Sequence, residues 1–88
     1  MAEVVWTEPA LNSLDEIADY IAVENLVAAS HFVKNVFDEV ELLEVTPRKG
    51  RVPIGLKKTP YRRLVISPVY VYYRLEGVTS IVLFIERQ

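Results

Sequence analysis

Val69-Tyr70-Val71-Tyr72-Tyr73-Arg74-Leu75-Glu76, then Gly77, then Thr79-Ser80-Ile81-Val82-Leu83-Phe84-Ile85: the reading of this stretch decides the fold. β-Branched and aromatic residues fill both runs, and a glycine separates them, so the pair reads as two strands joined by a tight turn. A strand with one face in water alternates apolar and polar residues. These strands do not. In the first, Val69, Val71, Tyr73 and Leu75 stand opposite Tyr70, Tyr72 and Arg74. In the second, Ile81, Leu83 and Ile85 stand opposite Val82 and Phe84. A sheet built from them carries apolar surface on both sides and needs two covers.

Upstream, Arg62 to Ser67 reads as a further strand that Pro68 ends, which makes an antiparallel meander. Before it, residues 46–61 hold three prolines and two glycines, too many for a continuous element. This segment is a loop, with room for a short strand near Gly55-Leu56. The N-terminal half is helical. Glu3-Val4-Val5-Trp6 reads as a short strand, and Thr7 as the N-cap of a helix whose first turn holds Glu8 and Pro9. Leu11, Leu14, Ile17, Ala18 and Ile21 form its apolar stripe, and it stops near Val23. Asn25 caps a second helix that runs to about Val45, with Ala29, Phe32, Val33, Val36, Val40 and Leu43 on one face and Phe37 beside them. The short Glu24-Asn25 link makes the helices an antiparallel hairpin.

The order is β-α-α-β-β-β. It implies a single α+β domain over residues 1–88, an N-terminal strand and an antiparallel helical hairpin packed on an antiparallel sheet. Two helices cover one face. The other requires the loop 46–61, a second copy, or a different chain.

Charge is sorted along the sequence. Residues 1–45 hold ten acidic side chains and one basic one, Lys34; residues 46–75 hold eight basic side chains and no acidic one. The net charge of −2 hides this. A basic surface so segregated can be aimed at a polyanion or an acidic protein. Asp38, Glu39, Glu41 and Glu44 crowd the end of the second helix, where negative charge opposes the helix dipole. Either Arg48, Lys49 and Arg51 fold back to neutralise them, or a partner's basic groups do so. The chain has no cysteine, hence no disulfide framework and no thiolate metal site. Met-Ala-Glu-Val-Val lacks the charged and apolar regions of a secretory leader, and a cytoplasmic location is expected. No cofactor or metal is expected.

Several stretches are familiar in series. Val-Val-Trp-Thr-Glu-Pro-Ala-Leu, continued by Leu14-Asp15-Glu16-Ile17-Ala18-Asp19-Tyr20-Ile21-Ala22, resembles the first strand and helix of the RelE/ParE toxin superfamily. Ala28-Ala29 with Phe32-Val33, then Val40-Glu41-Leu42-Leu43 and Pro47-Arg48-Lys49-Gly50-Arg51, are similar to its second helix and the stretch that ends that helix. Tyr61-Arg62-Arg63-Leu64-Val65-Ile66 and Val71-Tyr72-Tyr73-Arg74 resemble its meander. The resemblance implies a ParE-like toxin of a type II toxin–antitoxin pair. A cognate antitoxin would lay its C-terminal segment over the toxin and supply the second cover. Operator DNA would be met only through the antitoxin.

The superfamily holds two activities. RelE-like members cut mRNA on the ribosome; ParE-like members poison DNA gyrase. The sequence leans to the second, an inhibitory binding protein rather than an enzyme, with no catalytic residue assigned. Where RelE-like enzymes carry an arginine in the first meander strand, this chain has Leu64-Val65-Ile66. No tyrosine follows Tyr73. The lone His31 sits in the second helix and reads as a surface or packing residue, and Tyr70, Tyr72 and Tyr73 read as sheet packing. A pool of basic residues, Arg51, Lys57, Lys58, Arg62, Arg63, Arg74 and Arg87, is expected to meet the target or the antitoxin's acidic groups. Family members usually continue with a His or Arg cluster at the end of the last strand. Here Arg87 stands alone beside Glu86, so a degenerate toxin that keeps only antitoxin binding and autorepression is a third reading.

Overall fold

The computed structural model describes residues 2–88 and has the expected order: β1 (Glu3–Trp6), α1 (Glu8–Glu24), α2 (Leu26–Glu41), a 3-10 turn (Leu42–Glu44), β2 (Tyr61–Ile66), β3 (Val69–Glu76) and β4 (Thr79–Arg87). Both caps are in place. Thr7 Oγ1 accepts from the Ala10 amide at 3.3 Å, and Asn25 Oδ1 from the Ala28 amide at 3.0 Å. Asn25 alone links the helices.

The sheet runs in the order β1-β4-β3-β2. The meander is antiparallel, but β1 pairs with β4 in parallel, Val4 beside Ser80 and Trp6 beside Val82. The sheet is therefore mixed. Two helices intervene between β1 and the meander, long enough a connection to return the chain for parallel pairing. The helices lie on one face. Ala10 and Leu14 of α1, with Phe32, Val36 and Val40 of α2, bury against Leu64, Ile66, Val69, Val71, Tyr73, Val82 and Ile85; Leu43 closes one end. Each of the Val, Leu, Ile and Phe side chains among them contributes about 1.5–3 kcal/mol on burial.

Four local expectations are corrected. The stripe of α1 runs through Leu14, Ile17, Ala18 and Ile21 as expected, but Ala10 and not Leu11 begins it; Leu11 is 39% exposed. Regular α2 ends at Glu41, and the 3-10 turn then tucks Leu43 inward. Gly55-Leu56 lies in a turn, and the segment meets the sheet through the bridge Arg51–Arg63 and through the Pro60 carbonyl, which accepts from the Leu75 amide at 2.9 Å. The phase of β4 also breaks. Tyr73 pairs with Val82 but Tyr72 with Phe84, so Leu83 is an extra residue in a bulge. Ile85 then shares the helix-facing side with Val82, and Phe84 shares the opposite side with Ile81. The bulge frees the Ile85 amide, which donates to Ser13 Oγ of α1 at 2.9 Å. Thr7 Oγ1 donates to the Val82 carbonyl at 2.6 Å. Two hydroxyls of the first helical turns thus fasten α1 to the irregular point of β4.

Candidate functional site: the open face of the sheet

The register fixes which residues turn away from the helices. Tyr61, Arg63 and Val65 of β2 lie beside Arg74, Tyr72 and Tyr70 of β3; Tyr72 and Arg74 lie beside Phe84 and Ile81 of β4; Val5 lies beside Ile81. No helix covers this side. The loop 46–60 does not cover it either. Its anchors run to Tyr73 and Arg62, whose register places them on the helix-facing side. Tyr73 Oη donates to the Pro47 carbonyl at 2.7 Å and accepts from the Gly50 amide at 2.9 Å. Arg62 donates to the carbonyls of Gly50 at 2.7 Å and Arg48 at 3.1 Å. Gly50 is required by this close approach, since a Cβ there would stand 2.6 Å from the Tyr73 ring. Burial pushes the Tyr73 hydroxyl above its ordinary pKa, against the opposing effects of the Gly50 amide and the Arg62 charge.

The open face is an aromatic ladder set with arginines. Tyr72 stacks on Phe84 with centroids 4.6 Å apart, and Tyr70 meets Tyr72 edge-on at 6.4 Å. The Arg63 guanidinium sits 4.2 Å over the Tyr70 ring. Arg74 pairs with Glu76, and its Nε is buried with no hydrogen-bond partner among the described residues. Tyr72 Oη donates to Glu86 at 3.0 Å. Val65 is 59% exposed and Phe84 44%. Flat aromatic area, two forked cations and unshielded valine make a surface suited to an apolar chain bearing acidic groups.

The basic pool does not gather in one place. Arg63 and Arg74 share the open face. Arg51 lies along the edge of β2, exchanging backbone hydrogen bonds of 3.0 and 2.8 Å with Arg63, while Lys57 and Lys58 are exposed in the loop. Arg62 faces the helix side and holds the loop. Arg87 stands at the far end of the sheet, 4.4 Å over the Tyr20 ring of α1. Of the residues expected to neutralise the acidic end of α2, only Lys49 does so, 3.6 Å from Glu39. His31 is exposed on α2, in a shallow cleft with Lys34, Asn35 and Asp38. The Tyr72–Glu86 pair is the feature the sequence does not announce. Glu86 is legible there only as the acid beside Arg87, because the bulge that turns it toward Tyr72 has no local signal.

Residues 4–88 match the family described as the ParE toxin of the type II toxin–antitoxin system parDE. The chain belongs to the ParE toxin family. This ParE family member is 37% identical to Toxin RelE2 of Caulobacter vibrioides over 84 residues, 93% of this chain and 91% of that protein. Its fold superposes on a chain of the chromosomal ParDE system of P. aeruginosa with a TM-score of 0.82 and 25% identity, covering 99% of this chain and 96% of that one. A chain of the Mycobacterium tuberculosis RelBE2 toxin–antitoxin complex shares the fold, with a TM-score of 0.60, 18% identity and 99% and 98% coverage. The protein is thus a toxin of the RelE/ParE superfamily.

Proposed function

We propose that this toxin inhibits DNA gyrase in the cytoplasm as a binding protein, and that a cognate antitoxin silences it by laying a disordered tail across the open face of the sheet. Operator DNA is then reached only through the antitoxin. The observation that carries the reading is the state of the arginines on that face. Arg63 is stacked on a ring and Arg74 is paired with a carboxylate, an arrangement for recognising a surface. Burying the exposed part of several large side chains of the face, each worth up to about 1.5–3 kcal/mol for full burial, offsets the ordering cost of a disordered tail.

A second reading has its own observation. The Tyr72–Glu86 hydrogen bond lies on the same face as Arg63. A carboxylate there could take a proton from a ribose 2′-hydroxyl while an arginine stabilises charge developing on the phosphate, as a RelE-like ribonuclease requires. Purified protein assayed on gyrase supercoiling, beside mRNA cleavage on translating ribosomes, separates the two. Inhibited supercoiling or trapped cleaved DNA, unchanged in Glu86→Gln, supports gyrase as the target. Cleavage of mRNA that Glu86→Gln abolishes, with gyrase unaffected, overturns it. Co-expression with the product of the adjacent reading frame tests the antitoxin: a stable complex with a raised melting temperature is the expected outcome.

A further inference from the structure

The opposite edge of the sheet carries a second surface. β1 is an edge strand. The amides of Glu3 and Thr7 donate to Val78 and Val82 at 3.2 Å each, so strand alternation turns the amides and carbonyls of Val4 and Trp6 away from the sheet. Such an edge accepts an added strand. Beside it opens a cleft of about 250 Å³ lined by Val4, Trp6, Phe37, Glu41 and Glu44. Trp6 and Phe37 meet at 4.8 Å, and their rings wall the cleft. Among the described residues Glu41 and Glu44 form no ion pair, whereas the neighbouring Asp38 and Glu39 are paired with Lys34 and Lys49. Two unpaired carboxylates at a helix C-terminus carry a repulsion that a cation relieves.

We infer that this cleft seats an arginine side chain borne on an extended segment of the antitoxin, which adds as a strand to the open edge of β1. It rests on the reading of the chain as an antitoxin-bound toxin. Arginine is the side chain that meets every wall: its planar face stacks on Trp6 or Phe37, and its fork pairs with carboxylates. The seat lies on the helix side of the sheet, apart from the aromatic ladder. One tail would therefore present a basic residue to β1 and acidic residues to Arg63 and Arg74, and this opposition of charges fixes its direction across the toxin.

Trp6 is the only tryptophan and reports the site directly. The probe is a capped peptide of alternating valine and threonine with one central arginine; its twin carries citrulline, which keeps the shape and loses the charge. The arginine peptide is expected to change Trp6 fluorescence, to shift the amide resonances of Val4 and Trp6, and to bind about tenfold more tightly than the citrulline twin, as for one hydrogen-bonded charge pair. Glu41→Gln with Glu44→Gln should erase that preference. Equal binding of the two peptides, a preference surviving the double change, or a silent Trp6 overturns the inference; the first and last need no altered protein. With the antitoxin itself, an affinity indifferent to the double change also overturns it and leaves the functional reading standing. An unaltered protein that binds the peptide and no antitoxin overturns the functional reading and the antitoxin as occupant.

Discussion

The two faces of the sheet are built from the same residue types and are put to different uses. Val71, Tyr73, Val82 and Ile85 on one face are closed under the helical hairpin; on the other, Val65 and Phe84 stand exposed and Tyr70 and Tyr72 are half-buried. Their apolar residues alone do not distinguish them, although only the open face also carries Arg63, Arg74 and Glu86. What differs is the cover, and with it the consequence of changing a side chain. A residue on the closed face acts on folding. A residue on the open face acts on whatever binds there, because an uncovered side chain gives up little when removed from the free protein.

The sharpest break of that comparison uses neighbours on one strand. Ile85 is 4% exposed on the closed face, and Ile85→Ala should cost about 2–5 kcal/mol by loss of packing and the cavity left behind. Phe84 loses mainly its stack on Tyr72, so Phe84→Ala should cost only about 0.5–1.5 kcal/mol. Urea unfolding of the free protein measures both. In antitoxin binding the order should reverse. If Phe84→Ala unfolds the protein as readily as Ile85→Ala, the open face is part of the core.

Tyr73 tests the closed face by pH. Tyr73→Phe removes a donor to Pro47 and an acceptor for the buried Gly50 amide, and should cost about 1–3 kcal/mol. The raised pKa of Tyr73 means the unfolded chain releases that proton more readily than the folded one. Its contribution is therefore complete below the ordinary tyrosine range near pH 10 and is lost as pH rises through the folded value. The unaltered protein should lose stability in alkali, and Tyr73→Phe should lose less over the same range. Equal alkaline slopes would place the Tyr73 hydroxyl in water.

Arg62 and Arg63 bring the comparison down to adjacent residues. Arg62→Ala frees the carbonyls of Arg48 and Gly50 and should cost about 1.5–3 kcal/mol, with faster proteolysis of the loop. Arg63→Ala removes a cation from the Tyr70 ring, worth about 0.5–1 kcal/mol at an exposed site, and should weaken partner binding instead. Nothing in a run of basic residues says which of two neighbours faces in. Only the register with β3 does, and that is why the sequence presents them as one pool. The element order, the two caps, the helix pair and the strands are all legible, because each rests on local chemistry: a capping oxygen, helical spacing, a turn glycine. The bulge at Leu83 is not. It adds one residue to an apolar run whose alternation looks unbroken, and the partner of the Ile85 amide it frees, Ser13, lies far away in sequence. The parallel placement of β1 is hidden likewise, since pairing direction is decided by the return of the helical hairpin.

Ser80 gives the smallest effect and the finest test of the closed face. It is fully buried beside Val4 and Leu75, and its hydroxyl has no hydrogen-bond partner among the described residues. Most buried polar groups are paired, and an unpaired hydroxyl costs about 1–3 kcal/mol by mutational measures. Ser80→Ala removes that penalty and leaves a void no larger than one oxygen. The two nearly cancel, with the hydroxyl the larger, so the variant should be as stable as the unaltered protein or up to about 1 kcal/mol more stable. Thermal unfolding at fixed pH measures it, and activity should not move because Ser80 is fully buried and lines neither the aromatic ladder nor the β1 cleft. A clear loss of stability would mean that the hydroxyl has a partner in solution, and that the closed face at β1 is wetter than its apolar neighbours imply.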